Sequence, residues 1–504
     1  MQKVRTRFAP SPTGGLHLGG VRTALYSYLL AKKQGGDFVL RIEDTDQNRY
    51  VEGAEQYIID SLAWCGIIPD EGPHIGGQYG PYRQSERKNL YTQYAMQLVK
   101  SGHAYYAFDT TEDLEKMRQG AYEHSNQYDH HTRRHMKNSL TLSEDETQKL
   151  LAEKTPFVIR LLVPENEIIS FYDEIRGDIQ NNSNLLDDKV LLKADAMPTY
   201  HLAVVVDDYL MKITHALRGE EWLPSAPIHV LLWKYLGWEH AMPKWAHLPL
   251  ILKPDGNGKL SKRDGERLGF PVFTLNWLDP NTEHQYFGFK EMGFMPEAFV
   301  NMLAMFGWHS GEEQELFSMQ ELIDKFSLER IHKSGAKFDF EKAKWFNQAW
   351  IHQSDSDALM PYVKEILSQK NITPTDEKSL LHIISLVKDR CVLLNDFYTQ
   401  CYYFFRAPHQ LAIQHVKPKW TEEKNQFFKS WSGALDHIES WQVESIETNF
   451  KQLAEQLQIK AGELQMPLRI MLVGDKYGPN VFQIAHSIGK EELQKRIQTF
   501  LNAL

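Results

Sequence analysis

Three short stretches of this 504-residue chain combine residue types that could handle phosphates and charged small molecules. The first is the loop Ala9-Pro10-Ser11-Pro12-Thr13-Gly14-Gly15, followed by His17, Gly19 and Gly20 on the first turn of a helical pattern. Small residues there let a purine and ribose lie against the backbone, and an imidazole at a helix N-terminus can contact phosphate oxygens. The loop fits neither G-x-G-x-x-G nor G-x-x-x-x-G-K-[ST], and a plain strand-to-helix turn with a satisfied histidine also accounts for His17. The second stretch is Arg41-Ile42-Glu43-Asp44-Thr45-Asp46. Glu43 can pair with an ammonium group, while Asp44, Thr45 or Asp46 can simply cap the next helix. The third is Lys259-Leu260-Ser261-Lys262-Arg263. Nucleotidyl transfer mainly needs positive charge placed on developing negative charge, which Lys259 and Lys262 could supply; two solvated surface lysines are the plainer alternative.

The elements that must carry these residues follow from periodicity. Lys3 to Phe8 reads as a strand, Leu16 to Leu29 repeats apolar residues at helical spacing up to Gly35-Gly36, and Asp37 to Ile42 is a second strand. Strand, glycine-rich loop, helix and strand open a parallel α/β domain, whose ligands bind at the carboxyl edge of the sheet. A helix is expected at about residues 49 to 64. Residues 103–195, rich in charge and histidine with short strands such as Phe157 to Val163, read as an insertion that splits the sheet. Strand patterns then return over Thr199 to Val206 and Leu210 to Arg218, a helix over Pro227 to Leu236, and a strand over His247 to Leu252. From about residue 296 nearly every segment reads as helix. The fold class expected is therefore an α/β N-terminal half, with a Rossmann-type parallel sheet split by an inserted α+β module, followed by an all-α C-terminal half.

With 56 Lys plus Arg, 66 Asp plus Glu and 42% hydrophobic residues, the composition is that of a multidomain globular protein. Cys65, Cys391 and Cys401 are too sparse for a disulfide framework and lack zinc-ligand spacing, which points to a reducing, cytoplasmic setting. No secretory leader pattern and no membrane-length apolar run is present. The net charge of −10 argues against a nucleic-acid partner until it is divided: residues 331–504 carry 21 basic and 20 acidic side chains, so the acidity belongs to residues 1–330.

Taken together, Phe8 to Gly14 with His17-Leu18-Gly19-Gly20, Glu43-Asp44-Thr45-Asp46 and Lys259 to Arg263 resemble the signature motifs of class I aminoacyl-tRNA synthetases. Pro198 to Ala203, Val206-Asp207-Asp208, Leu217 to Trp222, Gly293 to Ala298 and Pro467-Leu468-Arg469 with Gly474 to Phe482 narrow the resemblance to the bacterial glutamyl branch, in order along nearly the whole chain. The resemblance implies ATP-dependent attachment of L-glutamate to tRNA(Glu) through an adenylate, with Mg2+ accompanying ATP, no membrane association and a monomer. It implies a glutamate pocket of Arg7, Ser11, Glu43, Tyr200 and Arg218. ATP would be held by His17, Gly19, Gly20, Glu221, Trp222 and Lys262, with His17, Lys259 and Lys262 catalytic and Arg469 at the anticodon. It further implies catalytic-domain halves at 1–102 and 196–250, an acceptor-end module at 103–195, a stem-contact domain at 251–335 and a helical anticodon-binding domain at 336–504. Glutamine-charging relatives carry β-barrel anticodon domains, unlike this helical half, and a catalytically silent tRNA-binding paralogue would not need His17, Lys259 and Lys262 intact.

Three features depart from the family pattern. Val204 stands where some members place an asparagine that holds the amino acid. No cysteine occupies the inserted module where some members bind zinc, and His124, His130, His131 and His135 read as a solvated cluster, so no zinc is expected. The segment between Arg263 and Gly293 is longer than usual, with no role evident from its pattern.

Overall fold

The computed structural model describes residues 3–120, 127–256, 258–374 and 376–504. They form two compact units, Met1–Glu291 with Pro296–Phe340, and Met292–Met295 with Glu341–Leu504. In the first unit the chain runs β1 (Arg5–Phe8), α1 (Leu18–Lys33), β2 (Asp37–Leu40), α2 (Ala54–Trp64), α3 (Lys88–Lys100), β3 (Ala104–Ala107), α4 (Thr111–Arg118), α5 (Glu144–Ala152), β4 (Val158–Leu161), β5 (Ile168–Asp173), β6 (Gly177–Asn182), β7 (Val190–Leu192), α6 (Tyr200–Leu210), β8 (His215–Gly219), α7 (Ala226–Tyr235), β9 (Lys244–Leu248) and β10 (Ile251–Leu252). It continues through α8 (Lys262–Leu268), β11 (Trp277–Leu278), β12 (Gln285–Tyr286), α9 (Phe289–Met292), α10 (Pro296–Met305), α11 (Met319–Lys325) and β13 (Ala336–Lys337).

The main sheet has the order β2-β1-β8-β9-β5-β6, parallel except for the β5/β6 hairpin. Chain order reverses at β1, so the crevice beyond the carboxyl ends of β1 and β8 is the switch point where such sheets bind ligands. α1 is buried on most of its surface, from Leu18 through Ala31, because it packs on the sheet with one side and on α10 and α11 with another. Gly36 lets the turn into β2 pass Val4, whose carbonyl oxygen would lie 2.1 Å from any added Cβ.

The structure redraws three sequence-level expectations. Thr199 to Val206 is not a strand: Tyr200–Leu210 is helix, buried from Leu202 through Asp208. A short apolar run fits a buried strand or a buried helix equally, and here packing on α3 and α7 decides. The stretch 103–195 is not one separate module. β3, β4 and β7 form their own three-stranded sheet, but β5 and β6 extend the main sheet through β9. His247 to Leu252 is two strands, because Pro249 has no N–H to continue the ladder and Leu250 N–H donates instead to Glu220 at 2.9 Å.

The second unit is helical as expected, with α12 to α20 spanning Phe340–Gln353, Ser356–Gln369, Glu377–Val387, Asp396–Phe405, Glu422–Ala434, Val443–Gln456, Ala461–Val473, Val481–Ile488 and Lys490–Ala503. Phe427, Trp431, Phe450 and Phe482 form its aromatic core, and the buried Arg496 donates to the carbonyls of Tyr403 and Leu472. Lys388 donates to the carbonyls of His352 and Ser354 at the end of α12.

Adjacent acids on α6 tie the first unit together. Asp207 accepts from Arg87 Nε at 2.7 Å, Tyr91 OH at 2.8 Å and Gln84 Nε2 at 2.9 Å, all fully or nearly fully buried. Removing one partner of a buried ion pair strands the other in low dielectric. Asp207→Ala is therefore expected to destabilise the first unit by about 3 to 5 kcal/mol, read as a fall in its urea unfolding midpoint. A loss within that of a surface substitution would show that Arg87 finds another acceptor.

Candidate active site

A cleft of about 600 Å³ opens at the switch point. His17 caps the N-terminus of α1: its Nδ1 accepts from Gly19 N–H at 3.2 Å, so in the neutral ring the proton resides on Nε2. That Nε2 is shielded and has no partner within the protein. Burial, with Lys259 and Lys262 nearby, holds His17 down at about 4, which keeps it a neutral donor. Gly19 is open toward the ring, whereas Gly15 is required by close approach and Gly20 lies against the Leu16 side chain. A Cβ on Gly15 would meet the Phe273 ring at 2.7 Å, and one on Gly20 would meet Leu16 at 2.7 Å.

The segment after Arg263 is what presses on Gly15. Phe273 bridges to His17, Leu18 N–H donates to Val272 O at 2.9 Å, and Leu275 exchanges hydrogen bonds with Tyr57 OH. Lys262, on the first turn of α8, rests over the Phe273 ring at 5.1 Å and the Tyr286 ring at 5.5 Å, while Ser261 and Asp264 close a capping box beneath it. Lys259 is exposed and ion-paired with Glu221 at 2.6 Å. Burial alone would raise the Glu221 carboxyl, but its bond to Lys259 lowers it on balance. Both lysines thus reach the cleft from a loop anchored at its two ends, by a Leu252–Lys259 bridge and by α8.

The opposite wall carries the other polarity. Arg218, at the end of β8, is buried and donates to Tyr200 OH at 2.9 Å, while its Nη2 has no partner. Arg7 Nε donates to Asp208 at 3.1 Å, and Arg41 bridges Asp208 at 2.8 Å and Glu43 at 3.0 Å. Burial raises Glu43 despite Arg41, whereas Asp208, which burial alone would raise, is lowered by Arg7 and Arg41. Ser11 is exposed at the loop, and the Trp222 ring stacks obliquely on Tyr200 at 4.2 Å. Arg7, Ser11, His17, Gly19, Gly20, Glu43, Tyr200, Arg218, Glu221, Trp222, Lys259 and Lys262 all line this one cleft.

Val204 does not: it is packed into the apolar core beside Val205 and Leu202. Arg469 lies in the second unit, where Nη1 donates to the carbonyls of Gly478 and Pro479 and secures the loop bearing the exposed Tyr477. His124 falls outside the described residues; the His130 and His131 rings pack together at 3.8 Å, and no metal-holding group of His, Cys, Asp and Glu occurs among the described residues. The three cysteines are buried thiols. No helix of the described residues is long and apolar enough to cross a membrane. Sequence reasoning missed Arg22, Asp173, His229 and His247 around the cleft. Their signal was a titratable residue inside an apolar run, as in Trp245-Ala246-His247-Leu248.

The family description "tRNA synthetases class I (E and Q), catalytic domain" matches residues 3–345, and "Anticodon binding domain" matches residues 356–501. The chain belongs to the class I tRNA synthetases of this group. It is 51% identical to a glutamate–tRNA ligase of Christiangramia forsetii, over all of this chain and 99% of the relative, and 50% identical to one of Porphyromonas gingivalis, over 100% and 99%. A crystal structure of a glutamate tRNA ligase from Elizabethkingia meningosepticum in complex with its amino acid superposes with a TM-score of 0.95 at 48% identity, covering all of both chains. Within that class the chain belongs to the glutamate–tRNA ligase family.

Burial holds His17, His201 and His215 at about 4, with Lys259 and Lys262, Lys189 and Lys244 respectively adding to it. Unfolded, each would titrate near 6.5, so the unfolded chain binds more protons across that interval and stability falls as pH drops through it. The thermal midpoint is expected to decline steadily on acidification below about pH 6.5. His215→Gln, outside the cleft, should make that decline shallower; an identical slope in the variant would show that His215 is protonated in the folded state.

Proposed function

We propose that the protein attaches L-glutamate to tRNA(Glu) in two steps, acting as a cytoplasmic monomer. The observation that supports this most directly is the pairing, across one cleft, of an arginine with a free guanidinium nitrogen and a phosphate-side group of His17, Lys259 and Lys262. In the first step the glutamate α-carboxylate attacks the α-phosphorus of ATP, the bond to the bridging oxygen breaks, and pyrophosphate leaves. In the second a ribose hydroxyl of the terminal adenosine of tRNA attacks the acyl carbon, loses its proton, and AMP leaves. No enzyme nucleophile is needed; placing the two reactants and stabilising charge account for the rate.

In this reading Arg218 binds the side-chain carboxylate, Glu43 accepts from the α-ammonium group, and Arg7, Ser11 and Tyr200 complete the amino-acid site. His17 Nε2–H and Lys262 meet the phosphates, Lys259 exchanges Glu221 for them, and Gly19 and Gly20 leave room for the nucleoside against Glu221 and Trp222. ATP arrives as its Mg2+ complex, the phosphates supplying the hard oxygen ligands this ion prefers. Residues 103–195 would receive the acceptor end, 251–335 the stem, and the helical second unit the anticodon, with Arg469 and Tyr477 at its reading surface.

Aminoacylation assays with tRNA present test the proposal directly. Glutamate is expected to be charged in strong preference to glutamine, and Lys262→Ala should slow adenylate formation by roughly 100-fold or more while changing tRNA affinity little. Preference for glutamine, or an equal loss of tRNA binding in the lysine variant, would overturn the assignment.

A further inference from the structure

Arg218 differs from the buried arginines Arg7 and Arg41 in what holds it. Arg7 and Arg41 are paired with the carboxylates of Asp208 and Glu43. Arg218 meets only neutral groups: Nε donates to His247 Nε2 at 2.9 Å, and Nη1 donates to Tyr200 OH at 2.9 Å and His229 Nδ1 at 3.1 Å. A guanidinium has five donors and no acceptor, so each imidazole nitrogen that faces it presents a lone pair and carries no proton.

The remaining ring nitrogens set these tautomers. His247 Nδ1 lies 2.6 Å from Asp173 Oδ2, so it carries the ring's only proton and donates it in a hydrogen bond to that carboxylate. Asp173 is itself fully buried and fixed by the backbone N–H groups of Ile175, Arg176 and His247, so its orientation owes nothing to a ligand. His229 Nε2 then donates to His201 Nδ1 at 3.3 Å. Burial and the charge of Arg218 both disfavour a second proton on His229 or His247, in keeping with this arrangement.

Resting on the reading that Arg218 receives the glutamate side chain, we infer that His247, oriented by Asp173, and His229 are positioning residues that hold Arg218 as an uncompensated cation. Nη2 is thereby left as a buried guanidinium nitrogen with no hydrogen-bond partner in the protein. A carboxylate in either histidine's place would neutralise the arginine within the protein; a neutral acceptor fixes its plane yet leaves its charge to be matched by the substrate. An anionic side chain relieves the buried cation, whereas an amide of the same shape leaves it unpaired, which is the condition for strong discrimination by a polar site.

The test uses the full chain with tRNA present and measures ATP–pyrophosphate exchange for His247→Leu and His247→Gln. Leucine removes the acceptor for Arg218 and the donor for Asp173; glutamine can supply both through its amide. The KM for glutamate is expected to rise roughly tenfold to hundredfold in the leucine variant, with the KM for ATP nearly constant, and to return most of the way in the glutamine variant. Should His247→Leu fail to fold, His229→Leu and His229→Gln provide the same comparison. Equal effects of leucine and glutamine, or parallel rises in both KM values, would reduce the histidines to packing and overturn the inference. Failure of the wild-type chain to charge glutamate would instead overturn the functional reading on which it rests.

Discussion

The cost of burying charge organises the catalytic unit. Six ionic side chains, Arg7, Arg41, Arg87, Glu43, Asp207 and Asp208, come from β1, the edge of β2, the turn before α3, and α6, and they are satisfied mainly by one another. Such a cluster tolerates little displacement, because each lost contact leaves an unpaired charge in low dielectric. It therefore holds α6 against the sheet and sets where Arg7, Glu43 and Tyr200 stand at the crevice. Arg218 is the contrasting case: it is fixed by the neutral acceptors His247, Tyr200 and His229.

The wall of the cleft that carries His17 and Lys262 relies on packing. His17 is oriented by Gly19 N–H from its own helix and by the bridge to Phe273. Phe273 with Tyr286 also supports Lys262, so one aromatic platform locates both the neutral donor and the cation. The segment after Arg263 thus has a physical role: it forms the outer wall that presses on the glycine turn. Replacing Gly15 by any larger residue would drive a side chain into that wall.

Much of the fold and most of the cleft were legible in the sequence, and the failures have specific causes. α1 is apolar at helical spacing and stops just before Gly35-Gly36, while β1 runs into Ala9-Pro10 and β2 starts directly after Gly36, so their limits were close to those observed. Tyr200–Leu210 was misread because a run of apolar residues buried on every side has no period to show. The insertion was recognised, yet the return of β5 and β6 to the main sheet was not, since pairing with β9 joins residues more than seventy positions apart. His229 and His247 were passed over because an isolated histidine in an apolar run does not reveal its partners.

By itself the sequence determined the nature of the chemistry: small residues and a histidine after a strand, an acidic corner, and two lysines beside Ser261, in the order that marks the family. Those are properties of residue type and local spacing, which a linear chain displays directly. Only the tertiary structure decided which nitrogen of His17 carries the proton, that Glu221 holds Lys259 at rest, and that Asp173, His247 and Arg218 form one line. These depend on distances between segments far apart in the chain, and on burial, which gives a hydrogen bond or a charge its weight only once the surrounding atoms have excluded water.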